Sequence, residues 1–159
     1  MKKLTIRTAV VDDAGQIMNF IQDLADYEKE PDAVVATAEH IHSTLFCTNP
    51  QVFGLIAELD GKPVGFAIYF FSYSTWLGKH GIYLEDLFVA PESRGFGAGK
   101  ALLQKLASIA VERDFGRIEW SVLDWNEPSI EFYESLGAEA KTGWTVYRLD
   151  GQALKDFAK

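Results

Sequence analysis

Hydrophobic residues recur along this chain with a period of two in some segments and near 3.6 in others, and the order of the switches predicts its architecture. Leu4 and Ile6 alternate with polar neighbours, which predicts a first strand. Asp12 or Asp13 is placed to cap a following helix, in which Ile17, Phe20, Ile21, Leu24 and Tyr27 recur at helical spacing up to a stop at Pro31. A second helix is predicted from about Thr37 through Ile41, Leu45 and Phe46, closed by Asn49-Pro50. Two apolar runs, Val52 to Leu59 and Val64 to Phe71, flank Asp60-Gly61-Lys62-Pro63, a hairpin signal. Another strand is expected over Tyr83 to Val89.

The second half alternates again. A helix from about Gly97 to Arg113 buries Leu102, Leu103, Leu106, Ile109 and Ala110, and Ile118 to Leu123 reads as a strand. Asn126 is a natural cap for a further helix, with Pro128 in its first turn and Gly137 at its end. Trp144 to Leu149 is expected to be a last strand, followed by a short helix over Gln152 to Ala158. A hairpin followed by strand, helix, strand, helix and strand implies an α/β fold: a mixed central sheet with helices on both faces. Its βαβ unit is centred on a run of glycines.

That run lies in YLEDLFVAPESRGFGAGK, from Tyr83 to Lys100. A strand that passes through glycines into a helix N-terminus presents N–H groups with no intrahelical partner, a ready site for phosphate. The spacing excludes two nucleotide-binding loops. From Gly95 the pattern is G-x-G-x-G rather than the dinucleotide G-x-G-x-x-G, and Gly99-Lys100 is followed by Ala101 where a P-loop needs Ser or Thr. A dinucleotide oxidoreductase is disfavoured on that ground.

Composition removes other classes. With 159 residues, 48% of them hydrophobic, and no linker or repeat, the expectation is a single domain over 1–159. A net charge of −8 argues against nucleic-acid binding. No apolar run reaches membrane-spanning length, the N-terminus lacks the apolar core of a signal peptide, and Cys47 has no partner for a disulfide. A cytoplasmic location is therefore expected. His40 and His42 are two apart on a predicted helix and His80 is distant, so no metal site is expected. No G-x-S-x-G supports a hydrolase.

Each remaining candidate has an ordinary structural explanation beside the chemical one. Glu85 sits inside an apolar strand, where a carboxylate needs a partner or a raised pKa. Strict alternation would place it with Tyr83, Leu87 and Val89 and turn Asp86 to the opposite side. Asn126 is explained by capping alone, and Tyr133 by core packing with a satisfied hydroxyl. Tyr27, Glu28, Glu30, Tyr73 and Trp76 form an aromatic and acidic set suited to a cation, though loop solvation explains such charges too.

Arg94, Gly97 and Gly99 fit [QR]-x-x-G-x-[GA], which resembles the pyrophosphate loop of the GCN5-related N-acetyltransferases. Together with VLDWNEPSIEFYESLGA, LADYEKE and FFSYSTWLGK, it resembles the spermidine/spermine acetyltransferase branch, and within it the thialysine Nε-acetyltransferases. The likeness covers nearly the whole chain. It implies a GNAT fold, acetyl-CoA as co-substrate and a homodimer. It further implies that Leu87, Phe88 and Val89 offer backbone groups to pantetheine and the acetyl carbonyl. Arg94, Gly95, Phe96, Gly97, Ala98, Gly99 and Lys100 would wrap the pyrophosphate, and Asn126, Pro128 and Ser129 would contact the coenzyme. Tyr133 is implied as the acid at the thioester sulfur and Glu85 as the base, with Tyr27, Glu28, Ser74, Thr75, Trp76 and Asp124 on the substrate side.

Departures from the polyamine enzymes narrow the acceptor. Ser74-Thr75 stands where they carry Asp-Pro, and Leu123-Asp124 matches the thialysine branch. A late acidic residue is replaced by Ala140-Lys141-Thr142, which disfavours a long polycation. The expected acceptor is a lysine-like amino acid, with polyamine second. A coenzyme-binding regulatory module without turnover is the alternative of another class.

Overall fold

The computed structural model describes all 159 residues. They divide into two compact units, 1–121 and 122–159, which are described in turn.

The first unit is a five-stranded sheet in the order β1-β2-β3-β4-β5. The strands are β1 (Leu4–Thr8), β2 (Phe53–Leu59), β3 (Lys62–Ser74), β4 (Lys79–Val89) and β5 (Ile118–Glu119). All neighbours pair antiparallel except β4 and β5, which run parallel and enclose the helix α3 (Ala98–Glu112). The β2–β3 turn is Asp60-Gly61, both with positive φ (53° and 79°), as a two-residue type I′ hairpin demands.

Two helices cover one face. From α1 (Ala14–Tyr27) and α2 (Ala38–Leu45), Ile17, Phe20, Ile41 and Leu45 pack with Ile56, Phe66, Ile68 and Phe88 of the sheet. The rings of Phe20 and Phe66 stack at 5.4 Å between centroids. Opposite them lies α3, whose Leu102 and Leu106 are fully buried, and Phe115 just beyond it meets the edge of Phe71 at 4.9 Å.

Several local expectations are corrected. Asp13 occupies the position before α1 but does not cap it. Its carboxylate instead takes two hydrogen bonds from Arg7, at 2.7 and 2.9 Å, and one from the Val10 N–H. Helix α1 stops at Tyr27, four residues before Pro31, because Lys29 turns into the left-handed region (φ 66°). The β3–β4 hairpin is longer than the apolar runs suggested, and its tip falls at residues 75–78. Strand β5 pairs over two residues rather than six.

The second unit holds α4 (Glu127–Ser135) and α5 (Gly151–Phe157). Trp144 to Leu149 forms no strand here. Residues that favour a strand do not make one without a ladder partner, and Trp144, Val146 and Tyr147 are largely exposed.

Candidate active site

Strand β4 carries one residue more than its partner requires. Ten residues of β3, Gly65 to Ser74, face eleven of β4, Lys79 to Val89. Ile68 lies opposite Asp86 and Tyr69 opposite Leu84, so Glu85 is the bulged residue. The backbone hydrogen bonds record the phase change. Ile82 donates its N–H across to Arg117 on the β5 side (3.0 Å), whereas Ala90, also even-numbered, donates to Val64 on the β3 side (2.8 Å). Leu87 and Val89 consequently direct their backbone groups away from β3, past the point where the two-residue β5 ladder has ended. Phe88 faces β3 with its backbone and the core with its ring.

The bulge also re-sorts the side chains. Tyr83 and Leu87 fall on opposite faces, so simple alternation does not hold through Glu85. Asp86 shares the α1 face with its partner Ile68 and with Phe66 and Phe88. Glu85 is exposed, and Asp86 is half-buried, its carboxylate open to solvent on one side. Desolvation, with added repulsion from Glu85 and Glu28, pushes the Asp86 carboxyl up to about 6. Desolvation also raises Glu28, at the end of α1. Alternation would turn Asp86 to the side opposite Tyr83, and the ladder corrects this: Asp86 lies on the α1 face with Ile68, the face that Tyr83 also shares through Phe70.

Beyond β4 the chain makes a short turn over Pro91–Ser93 and enters α3 through Arg94-Gly95-Phe96-Gly97. Gly97 precedes the helix at φ 82°, with no side-chain cap, and Gly95 has φ 90°. A Cβ on either would meet nothing within 4 Å, so the backbone is open to a ligand. Helix geometry leaves the N–H groups of Ala98, Gly99 and Lys100 without intrahelical acceptors, and the first closed turn is Ala101 to Gly97 at 2.9 Å. The residues suit a pyrophosphate at this terminus.

Arg94 joins this loop to α1. Its Nε donates to the Val89 carbonyl at 3.1 Å, and its guanidinium lies over the rings of Tyr27 and Phe88. A cavity of about 520 Å³ opens here, lined by Asp26, Tyr27, Phe88, Ala90, Glu92 and Arg94 among others. The tip residues Ser74, Thr75 and Trp76 are not brought to it. They precede β4, so an extended strand carries them about 30 Å from Val89. Ser74 is buried and accepts the Leu77 N–H (3.2 Å), while Trp76 projects into solvent.

In the second unit, Asn126 is buried and its side chain accepts the Ser129 N–H at 3.4 Å, capping α4 with Pro128 in the first turn. Tyr133 is half-buried beside Phe132, with ring centroids 5.6 Å apart. Gly137 ends the helix at φ 93°, and Asp124 is exposed in the preceding turn.

This arrangement of strand, glycine loop and helix coincides with a known family: residues 17–138 match the model of the Acetyltransferase (GNAT) family. The chain belongs to that family. It is an acetyl-transferring enzyme, which decides against a coenzyme-binding module without turnover, and GNAT enzymes use acetyl-CoA as co-substrate. A thialysine N-epsilon-acetyltransferase of Sus scrofa is 38% identical, the match covering 99% of both chains. An L-ornithine N5-acetyltransferase of Arabidopsis thaliana is 43% identical, covering 97% of this chain and 87% of that one. Among solved structures, an integron cassette protein from the mobile metagenome of V. cholerae superposes with a TM-score of 0.83 at 26% identity, over 98% of both chains. No helix of this protein is long and apolar enough to cross a membrane.

Proposed function

We propose that the enzyme acetylates the primary amine of a small, lysine-like amino acid, by direct attack on acetyl-CoA while both substrates are bound. The observation that carries this reading is the bulged β4, whose unpaired Leu87 and Val89 amides lead straight into the open glycine loop. A coenzyme with an amide-bearing arm and a pyrophosphate fits that sequence of donors. The relatives acting on thialysine and ornithine support an amino-acid acceptor, and the absence of acidic residues at 74–75 and 140–142 favours it over polyamine.

The residues divide the work as follows. Leu87 and Val89 hold the pantetheine arm and polarise the acetyl carbonyl, with Phe88 fixing the strand between them. Arg94 to Lys100 bind the pyrophosphate, while Asn126, Pro128 and Ser129 set the helix that borders the coenzyme. An amine of pKa near 10.4 is no more than roughly 0.1% neutral at pH 7, so a base is needed. Glu85 supplies it, through water. Attack makes a tetrahedral oxyanion stabilised by backbone N–H donors, and Tyr133 protonates the departing thiolate. Tyr27, Glu28 and Asp124 face the acceptor. Family resemblance alone would put Ser74, Thr75 and Trp76 on the acceptor side; at the hairpin tip they lie far along β4 from the cavity of this chain.

We read the chain as one domain acting in the cytoplasm as a homodimer, without nucleic acid or membrane partners. The family match runs across the boundary between the units, and the exposed aromatic and aliphatic residues of Trp144 to Leu149 suit a shared interface. The test is thiol release from acetyl-CoA across lysine, thialysine, ornithine and spermidine, with product analysis at equal concentrations. Mainly acetylspermidine would replace the amino-acid reading with the polyamine one.

A further inference from the structure

We propose that Tyr27 is a positioning residue for the coenzyme, in addition to its place on the acceptor side: its ring holds the Arg94 guanidinium ready for the pyrophosphate. This rests on the pyrophosphate reading of Arg94 to Lys100 above.

Arg94, the exposed first residue of that loop, is held without being neutralised. Its Nε donates to the Val89 carbonyl at 3.1 Å, and its guanidinium carbon lies 5.3 Å from the ring centre of Tyr27 and 5.9 Å from that of Phe88. Asp23, Asp26 and Glu92 line the same cavity, yet none of them lies within ion-pair distance of the guanidinium. The Nη groups donate to no protein acceptor, so the outer fork keeps its hydrogen-bonding capacity. A carboxylate could hold this side chain as firmly, but it would compete with phosphate for both the charge and the donors. An aromatic face orients the cation and leaves both to the ligand.

Tyr27 is itself anchored. It packs against the core cluster as the last residue of α1, and the helix closes behind it in the Schellman arrangement. Lys29, at φ 66°, donates its N–H to the Asp26 carbonyl at 3.1 Å, and Glu30 donates to that of Ala25 at 2.9 Å. The end of α1 is thereby fixed in register, and the buried Phe88 supplies the second ring from the sheet.

Support of Arg94 and contact with the acceptor are separable, because the first is measured with no amine present. Tyr27→Leu removes the ring face, so coenzyme A should bind about 5- to 30-fold more weakly in titration calorimetry, the range of a cation–π contact at a partly buried site. Tyr27→Phe keeps the face and should bind coenzyme A within about twofold of wild type. In an Arg94→Ala background, Tyr27→Leu should cost less than about twofold further, since the two side chains act as a unit. General loosening of α1 would instead weaken binding equally in both backgrounds, and that result would overturn the proposal. Wild-type coenzyme affinity in Tyr27→Leu, with only the amine KM raised, would also overturn it, as would a Tyr27→Phe variant as weak as Tyr27→Leu. Failure of the wild-type protein to bind coenzyme A would overturn the pyrophosphate reading of the loop instead.

Discussion

The guanidinium carbon of Arg94 lies 5.3 Å from the ring centre of Tyr27, so the first residue of the glycine loop rests on the last residue of α1. Through its Nε it also holds the carbonyl of Val89. One side chain therefore ties together the end of β4, the loop and the helix that borders the cavity.

Replacing Arg94 by Ala removes a cation from the pyrophosphate site and unties that junction. A charge-assisted hydrogen bond contributes about 1.5–3 kcal/mol, so coenzyme affinity should fall by about 10- to 150-fold. Arg94→Lys should recover only part of this, since it keeps the charge but cannot spread over two rings. Titration calorimetry with coenzyme A reads both. Wild-type affinity in Arg94→Ala would remove Arg94 from the binding site.

Gly97→Val should be a specific lesion. An added Cβ meets no neighbour within 4 Å, but φ of 82° is strained for a β-branched residue, by roughly 1–3 kcal/mol. The protein should remain folded with a modestly lower Tm and bind coenzyme A at least tenfold more weakly. Calorimetry paired with thermal melts distinguishes that outcome from global unfolding.

Asp13 governs acid stability. The bidentate hydrogen bonds from Arg7 hold its carboxyl below the usual range, with the Val10 N–H helping, against the opposing effect of burial. A depressed folded pKa gives stability that is complete above the unfolded value near 3.8 and disappears as pH falls through the folded one. Asp13→Asn should cost about 1–3 kcal/mol at pH 7, less than a fully buried pair because Arg7 is about one-third exposed. Urea melts should show the gap between variant and wild type narrowing steadily below pH 4.

Tyr133→Phe keeps the ring that packs on Phe132 and removes only the hydroxyl. If Tyr133 protonates the leaving thiolate, kcat should drop about tenfold or more while coenzyme affinity stays within about twofold. Single-turnover acetyl transfer is the appropriate readout. An unchanged chemical step would assign that proton to water.

Much of the fold was legible because its signals are local. Asp60-Gly61 names its own turn, Thr37 caps α2 through the His40 N–H, and Gly97 marks the start of α3. The bulge was hidden for a physical reason. Ile82, Leu84 and Phe88 are all buried even-numbered residues, yet helices cover both sheet faces, so burial continues in step while the face changes. Pattern reports burial, and only the ladder reports direction. The same limit explains Trp144 to Leu149, whose aromatic and aliphatic residues suit a strand but which has no neighbouring strand in this chain.

The eleven-against-ten match between β4 and β3 makes the hairpin unusually intolerant of deletion at one point. Loss of any single residue between Tyr83 and Leu87 would restore an even ladder, a change that secondary-structure content would scarcely register. The pairs on either flank, Leu84 with Tyr69 and Asp86 with Ile68, would keep their faces, but the irregularity that splays β4 at this point would close. A chain shortened there would fold as well as this one, or better, and lose the opening beside which its coenzyme is proposed to lie.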